Sequence, residues 1–95
     1  MSTPTLNDVR VAFENDLHTK RDLSLHTIRA YAGDLESFFT HLQALGITDL
    51  QGIDISHIRS WLANISVKGG ARTTLARRAV TIRLFTKWAQ KNGYL

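Results

Sequence analysis

Two hydroxyl groups and two guanidinium groups recur at helical spacing in the last quarter of the sequence. They belong to Thr74, Arg77, Arg78 and Thr81, which stand at positions i, i+3, i+4 and i+7 and would share one face of a helix. The start of a helix favours anions, and guanidinium groups also match the acceptor atoms of guanine in a major groove. The spacing therefore predicts a surface that binds phosphate or DNA, and the alternative is a polar face that is only solvated.

The basic residues are concentrated in the same part of the chain. The 95 residues carry a formal net charge of +4. Residues 1–67 hold five Lys and Arg against eight Asp and Glu, a balance of −3, whereas residues 68–95 hold seven Lys and Arg and no acid, a balance of +7. This asymmetry is typical of proteins that bind nucleic acid.

Enzymatic chemistry has less support in the sequence. There is no cysteine, and the histidines fall on different predicted helices or faces without the spacing of a metal site. Gly69-Gly70 is not followed by the Lys-Ser or Lys-Thr of a phosphate-binding loop. Tyr31 is expected in the core and Tyr94 in a frayed chain end, so neither is a persuasive nucleophile. We therefore predict no catalytic residue, no metal and no cofactor in this chain.

The elements that must position these residues are four amphipathic helices. The first is predicted over roughly 5–20, with Thr5 as its N-cap. The second runs from the N-cap Ser24 to the terminating Gly46 and is followed by a connector over 47–53 without helical period. The apolar faces of these two helices are Leu6, Val9, Phe13 and Leu17, then Ile28, Tyr31, Ala32, Leu35, Phe38, Phe39, Leu42 and Leu45.

The third and fourth helices are separated by a predicted turn at Lys68-Gly69-Gly70. The third starts after its N-cap Asp54, and the fourth extends to about Asn92, where Gly93 offers a C-terminal cap. Their predicted inner faces are Ile55, Ile58, Trp61, Leu62 and Ile65, then Leu75, Ala79, Ile82, Phe85 and Ala89, with Trp88 also expected in the core.

Each helix is apolar on one side only, so the four must pack on one another as a small all-α bundle. At 95 residues the chain is predicted to be one domain, residues 1–95. It has neither a signal-like N-terminus nor an apolar run of about 18 residues, so we expect a cytoplasmic protein that contacts no membrane.

The start of the second helix repeats the polar character of the fourth. Ser24, His26, Thr27 and Arg29 cluster there, and two such helix starts could straddle a duplex; alternatively, Ser24 and Thr27 only cap the helix. Arg72, Arg83 and Lys87 lie on the opposite edge of the fourth helix. Arg83 could pair with Asp34 of the second helix or could contact phosphate.

Two motifs resemble a known family. The run Ser24-Leu25-His26-Thr27-Ile28-Arg29-Ala30-Tyr31-Ala32-Gly33-Asp34-Leu35 resembles the Ser-x-x-Thr-hydrophobic-x-x-Tyr-x-x-Asp-Leu stretch of Xer-type tyrosine recombinases and phage integrases. The run Thr74-Leu75-Ala76-Arg77-Arg78-Ala79-Val80-Thr81-Ile82-Arg83-Leu84-Phe85 resembles the second signature of that family, an Arg-Arg pair followed by Arg-x-Phe. Both occur in the expected order, and the likeness covers residues 5–95. Gly33 is a departure, since Arg is frequent there.

The resemblance implies a four-helix SAM-like core-binding domain, with orthogonal packing expected, that grips one arm of a recombination site in double-stranded DNA. It implies that the second and fourth helices face the major groove. It also implies that strand cleavage belongs to a separate catalytic domain, so this chain would be an excised domain that is not itself an enzyme and is monomeric alone. The predicted DNA-contacting residues are His26, Thr27, Arg29, Arg72, Thr74, Arg77, Arg78 and Thr81.

A second hypothesis is a protein-interaction module. SAM-like bundles also bind proteins, and domains of this family touch neighbouring recombinase protomers in the assembled complex. The hypothesis predicts association that survives high salt and depends on apolar surface near Leu84 and Tyr94.

Overall fold

The computed structural model describes residues 4–67 and 71–95, and of residues 65–67 it describes the backbone alone. Its α-helices are α1 (Leu6–His18), α2 (Leu25–Ala44), α3 (Ile55–Val67) and α4 (Arg72–Lys91). The connector between α2 and α3 contains a short 3-10 helix, Leu50–Gly52, which the sequence analysis did not predict. No strand occurs among the described residues, so the predicted all-α, four-helix fold is confirmed.

Local hydrogen bonds explain where the first two helices begin. The Thr5 hydroxyl accepts from the Asp8 amide at 3.1 Å, and the Asp8 carboxylate accepts from the Thr5 amide at 3.1 Å. Ser24 Oγ accepts from the Thr27 amide at 3.1 Å. Each bond satisfies an amide that has no partner within its helix, so the predicted N-caps of α1 and α2 are confirmed.

Glycines in the left-handed conformation end α2 and α4, with φ of 82° at Gly46 and 80° at Gly93. After each glycine the chain turns back, so that Ile47 N–H donates to the Leu42 carbonyl at 3.0 Å and Tyr94 N–H donates to the Ala89 carbonyl at 2.8 Å. This is the Schellman arrangement. The expected frayed end at Tyr94 is therefore wrong, and its ring instead stacks on Trp88, with centroids 5.2 Å apart.

Aromatic side chains join the helices at the centre of the bundle. Phe85 of α4 lies edge-on to Phe13 of α1 at 5.4 Å and to Phe39 of α2 at 5.6 Å. Trp61 attaches α3, because its ring packs 5.1 Å from Phe38 and its indole N–H donates to Ser37 Oγ at 3.2 Å. Burying these rings contributes apolar stabilisation that holds all four helices together.

Some residues of the predicted core faces lie elsewhere. Ile55 is 59% exposed and Leu45 is 52% exposed, because each stands at a helix end that no neighbouring helix covers. Leu75 and Ala79 are half-buried, whereas Ile82, Phe85 and Ala89 are buried as predicted. The predicted turn at Lys68-Gly69-Gly70 and the side chain of Ile65 lie outside the described residues.

Candidate nucleic-acid interface

A buried carboxylate joins the two helices that carry the predicted contact residues. Asp34 of α2 is only 1% exposed. Its Oδ2 accepts from Arg77 Nε at 2.9 Å and from Thr81 Oγ1 at 2.8 Å, while Oδ1 accepts from Arg77 Nη2. Burial of an unpaired carboxylate would be costly, so these bonds are what allow Asp34 to stand in the core.

Arg77 is bound to Asp34 on one edge and faces solvent on the other. Its side chain is 41% exposed, and the two bonds to Asp34 leave three of its five N–H groups for other acceptors. The hydrogen bonds to Asp34 raise the pKa of the Arg77 guanidinium, so it stays charged at any working pH.

Arg78 is held between Asp34 and an aromatic ring. Its Nε lies 3.4 Å from Asp34 Oδ1, and its guanidinium carbon lies 5.2 Å from the centroid of Trp61. The side chain is 20% exposed. This cation–π contact helps to hold the guanidinium in place, and its Nη groups make no hydrogen bond within the described residues.

We call Asp34, Arg77, Arg78 and Thr81 the Asp34 cluster. It changes the picture of the predicted phosphate- or DNA-binding surface in two ways. Thr81 is 1% exposed and its hydroxyl donates to Asp34, so in this structure it is buried in the cluster and not presented on the surface where it was expected to contact DNA. Arg77 and Arg78 are not free on the surface, because both turn toward Asp34, for which the sequence analysis had offered Arg83 as a partner. With two guanidinium groups and one carboxylate, the cluster still carries a net charge of +1.

A groove of about 740 Å³ opens beside this cluster, and we call it the α2–α4 groove. Arg78 and Thr74 line it from α4, Trp61 and Asn64 line it from α3, and α2 contributes the other six lining residues. The α2 residues are Gly33, Glu36, Ser37, Thr40, His41 and Ala44. The groove therefore combines donors, acceptors and charges of both signs.

The predicted residues at the start of α2 divide between capping and exposure. Thr27 is half-buried, and its hydroxyl accepts from Ser24 Oγ at 2.9 Å. His26 and Arg29 are exposed. By helical spacing, they extend along α2 the face on which Gly33 lines the groove.

Arg72 lies on a different side of α4. It is exposed, but helical spacing puts it about 160° from Thr74, away from the groove. Within the described residues neither Arg29 nor Arg72 has a carboxylate within 4.0 Å. The α4 N-cap, Ala71, supplies no side-chain bond, so the first-turn amides of α4 have no side-chain acceptor from that residue.

Sequence reasoning missed the central role of Asp34 and the place of Glu36 in the groove. A signal for Asp34 was present, since it is the one acid that interrupts the apolar series of α2 between Tyr31 and Leu35. An acid at such a position must find a cation or a donor on a neighbouring helix. Glu36 had no comparable signal, because an exposed glutamate is ordinary on a helix.

Two classes of site find no support among the described residues. No group of three or more His, Asp or Glu side chains there could hold a metal ion. None of the described helices is long and apolar enough to cross a membrane.

Comparison with known proteins places this geometry in a family context. The sequence model of the phage integrase N-terminal SAM-like domain matches residues 11–93. The chain is 45% identical over 83 residues to tyrosine recombinase XerC of Mycobacterium leprae, covering 87% of this chain and 28% of that protein. It is 38% identical over 91 residues to tyrosine recombinase XerC of Mycobacterium sp. (strain JLS), covering 95% and 30%. The chain thus spans less than a third of these relatives, and no solved structure matches it.

Proposed function

We propose that residues 1–95 bind duplex DNA as a clamp domain. The chain belongs to the family of phage integrase N-terminal SAM-like domains, and this membership supports a role in site-specific recombination. The relatives are tyrosine recombinases. In this proposal the chain positions the duplex, and a further part of a longer recombinase cleaves and rejoins the strands. Other recombinase protomers on the same DNA would be its protein partners.

The observation that carries the proposal is the charge of α4. Over Arg72–Lys91 this helix has six Lys and Arg and no acid. The single carboxylate that α2 supplies to it, Asp34, compensates only one of the two guanidinium groups it touches. Setting this one carboxylate against the six cations leaves α4 with a net charge of 6 − 1 = +5. DNA affinity is dominated by such charges acting on phosphates.

Different residues suit different parts of a duplex. Arg29 and Arg72 are exposed and lack carboxylate partners among the described residues, so they can follow phosphates. Arg77 and Arg78 are held in fixed orientations by Asp34 and Trp61. Oriented guanidinium groups suit base edges, where a small angular error loses a hydrogen bond.

The test is a titration of a fluorescein-labelled 30-base-pair duplex, followed by anisotropy between 50 and 200 mM salt. Each phosphate contact contributes a slope of about −0.9 in log affinity against log salt. Arg29→Ala and Arg72→Ala should each weaken binding and reduce the slope by about one contact. Arg59→Ala is the matched control, since Arg59 is exposed on the side of α3 opposite Trp61.

Wild-type protein that leaves the anisotropy unchanged at 50 mM salt would contradict the proposal. So would equal losses in all three arginine variants, because the effect would then be that of net charge alone. The double change of Arg77 and Arg78 to alanine is a poor test, because it strands the buried Asp34 carboxylate and would unfold the domain.

One observation favours the protein-interaction alternative. Val80 and Leu84 are each 41% exposed and stand four residues apart on α4, so they form a small apolar strip. Tyr94, the other predicted anchor, is half-buried against Trp88 and adds little to it. Sedimentation at 0.1 and 1 M salt tests this alternative, which requires association that persists at 1 M salt and is lost in Leu84→Ser.

A further inference from the structure

The α2–α4 groove contains a carboxylate that serves no partner within the described chain. Glu36 is exposed, and none of the ion pairs or side-chain hydrogen bonds of the described residues involves its carboxylate. Arg78 lines the same groove but is engaged by Asp34 and Trp61 instead. A free acceptor from α2 and free Nη donors from α4 therefore border one space of about 740 Å³.

Gly33 leaves a bare patch of backbone between these two groups. A glycine inside a helix costs about 1 kcal/mol relative to alanine. Neither backbone conformation nor packing within the described chain requires it, because its φ is not positive and a Cβ built there would meet no heavy atom within 4 Å. The space above Gly33 is thus open to a ligand that approaches the α2 backbone closely.

The mixed charge of the groove points to base edges rather than to phosphates. A carboxylate repels phosphate, so Glu36 would lower the affinity of the groove if the groove bound only the phosphates of the DNA backbone. Base edges need both signs, because guanine presents the acceptors N7 and O6 and cytosine presents its N4 amino group as a donor.

Resting on the proposed function, we propose that the α2–α4 groove reads a G·C pair or adjacent G and C bases in the major groove. Glu36 accepts from a cytosine N4 amino group, and Arg78 donates to guanine. Gly33 gives the base edge the clearance to reach both. Glu36 is then a specificity-determining residue that lowers general affinity for DNA and raises preference for one sequence.

The experiment selects bound duplexes from a library with 14 randomised base pairs and sequences them, in parallel for wild type, Glu36→Gln and Asp22→Asn. Asp22 is exposed, lines a different cavity and has no ion-pair partner among the described residues, so its change is the control for loss of one negative charge. Glu36→Gln should lose the preference for cytosine at one position by roughly five- to tenfold. Its affinity for unselected duplex should stay equal or rise.

Asp22→Asn should keep the wild-type preference. Gly33→Ala adds a second readout, because it should raise the melting temperature while weakening binding to the selected sequence. The inference is overturned if Glu36→Gln selects the same sequences as wild type, or if Gly33→Ala stabilises the fold without loss of affinity. If the wild-type protein binds duplexes without any sequence preference, this inference is overturned but the proposed function stands. If the wild-type protein binds no duplex, both the inference and the proposed function are overturned.

Discussion

Arg77→Ala should destabilise the domain more than Asp34→Ala, although the two changes break the same ion pair. Arg77→Ala leaves a carboxylate that is 1% exposed with one hydroxyl donor, from Thr81, and with Arg78 Nε at 3.4 Å. Asp34→Ala leaves a guanidinium that is already 41% exposed and can turn into water. The costs differ because the first change leaves a carboxylate that is almost fully buried, whereas the second leaves two guanidinium groups that are 41% and 20% exposed.

The magnitudes follow from the exposures of the two groups. Removing one partner of a buried pair costs about 3–5 kcal/mol. The exposure of Arg77 and the nearness of Arg78 lower the expected cost of Arg77→Ala to about 2–3 kcal/mol. In a domain of this size that is a fall in melting temperature of roughly 10–20 °C. Asp34→Ala loses charge-assisted hydrogen bonds but also removes the desolvation cost of the carboxylate, so it should cost less, about 1 kcal/mol.

The assay is urea unfolding followed by helical circular dichroism for wild type, both single variants and the double variant. The double variant should be about as stable as Asp34→Ala alone, which gives a coupling energy of about 2 kcal/mol. Arg83→Ala is the control, since Arg83 is exposed on the same helix without a carboxylate partner among the described residues. An Arg77→Ala variant within about 0.5 kcal/mol of wild type, or strictly additive costs, would refute this account of Asp34.

Three further predictions concern the helix ends. Two hydrogen bonds to the Asp54 carboxylate, the larger effect from the Ser56 hydroxyl and the smaller from the Ile55 amide, lower the pKa of Asp54 below its ordinary 3.8. These bonds therefore stabilise the fold above pH 3.8, and that stabilisation is lost as the pH falls through the lowered pKa of the folded state. Ser56→Ala should raise that pKa in an NMR carboxyl titration, and an unchanged titration would reject the bond. Gly46→Ala should lower the free energy of unfolding by about 1–2 kcal/mol in urea, because φ is 82° at this position and alanine is strained there. An unchanged free energy of unfolding would mean that this left-handed conformation is not needed. Ser24→Ala should lower the free energy of unfolding by about 1 kcal/mol, because it removes the N-cap of α2. A variant as stable as wild type in urea unfolding would contradict this prediction.

The helices could be predicted closely because their ends depend on neighbouring residues. Thr5 and Ser24 bond to amides three positions away, and Gly46 redirects the chain within two residues. Such interactions are visible in a sequence as residue types at fixed spacing. The one stretch of regular structure that was missed, the 3-10 helix Leu50–Gly52, is too short to have a period.

The environment of the site could not be predicted to the same degree. Helical spacing correctly placed Arg77 and Thr81 on one face of α4, but it could not say whether that face meets solvent or α2. The bonds from Arg77 and Thr81 to Asp34 join residues 43 and 47 positions apart. Which arginine reaches Asp34 depends on how α2 and α4 cross, and the sequence analysis named Arg83, not Arg77, as a partner for Asp34.

In the Asp34 cluster, the packing of α2 on α4 and the orientation of Arg77 and Arg78 depend on the same contacts. The same bonds that satisfy a buried carboxylate also set the direction of Arg77 and help to fix Arg78 over Trp61. A variant that alters these arginines therefore changes stability and the binding surface together, and its DNA affinity alone cannot separate the two. Arg29, Arg72 and Glu36 lie on the surface without partners among the described residues. Changes at these positions leave the core intact, so they are the ones that can show how the domain holds and reads a duplex.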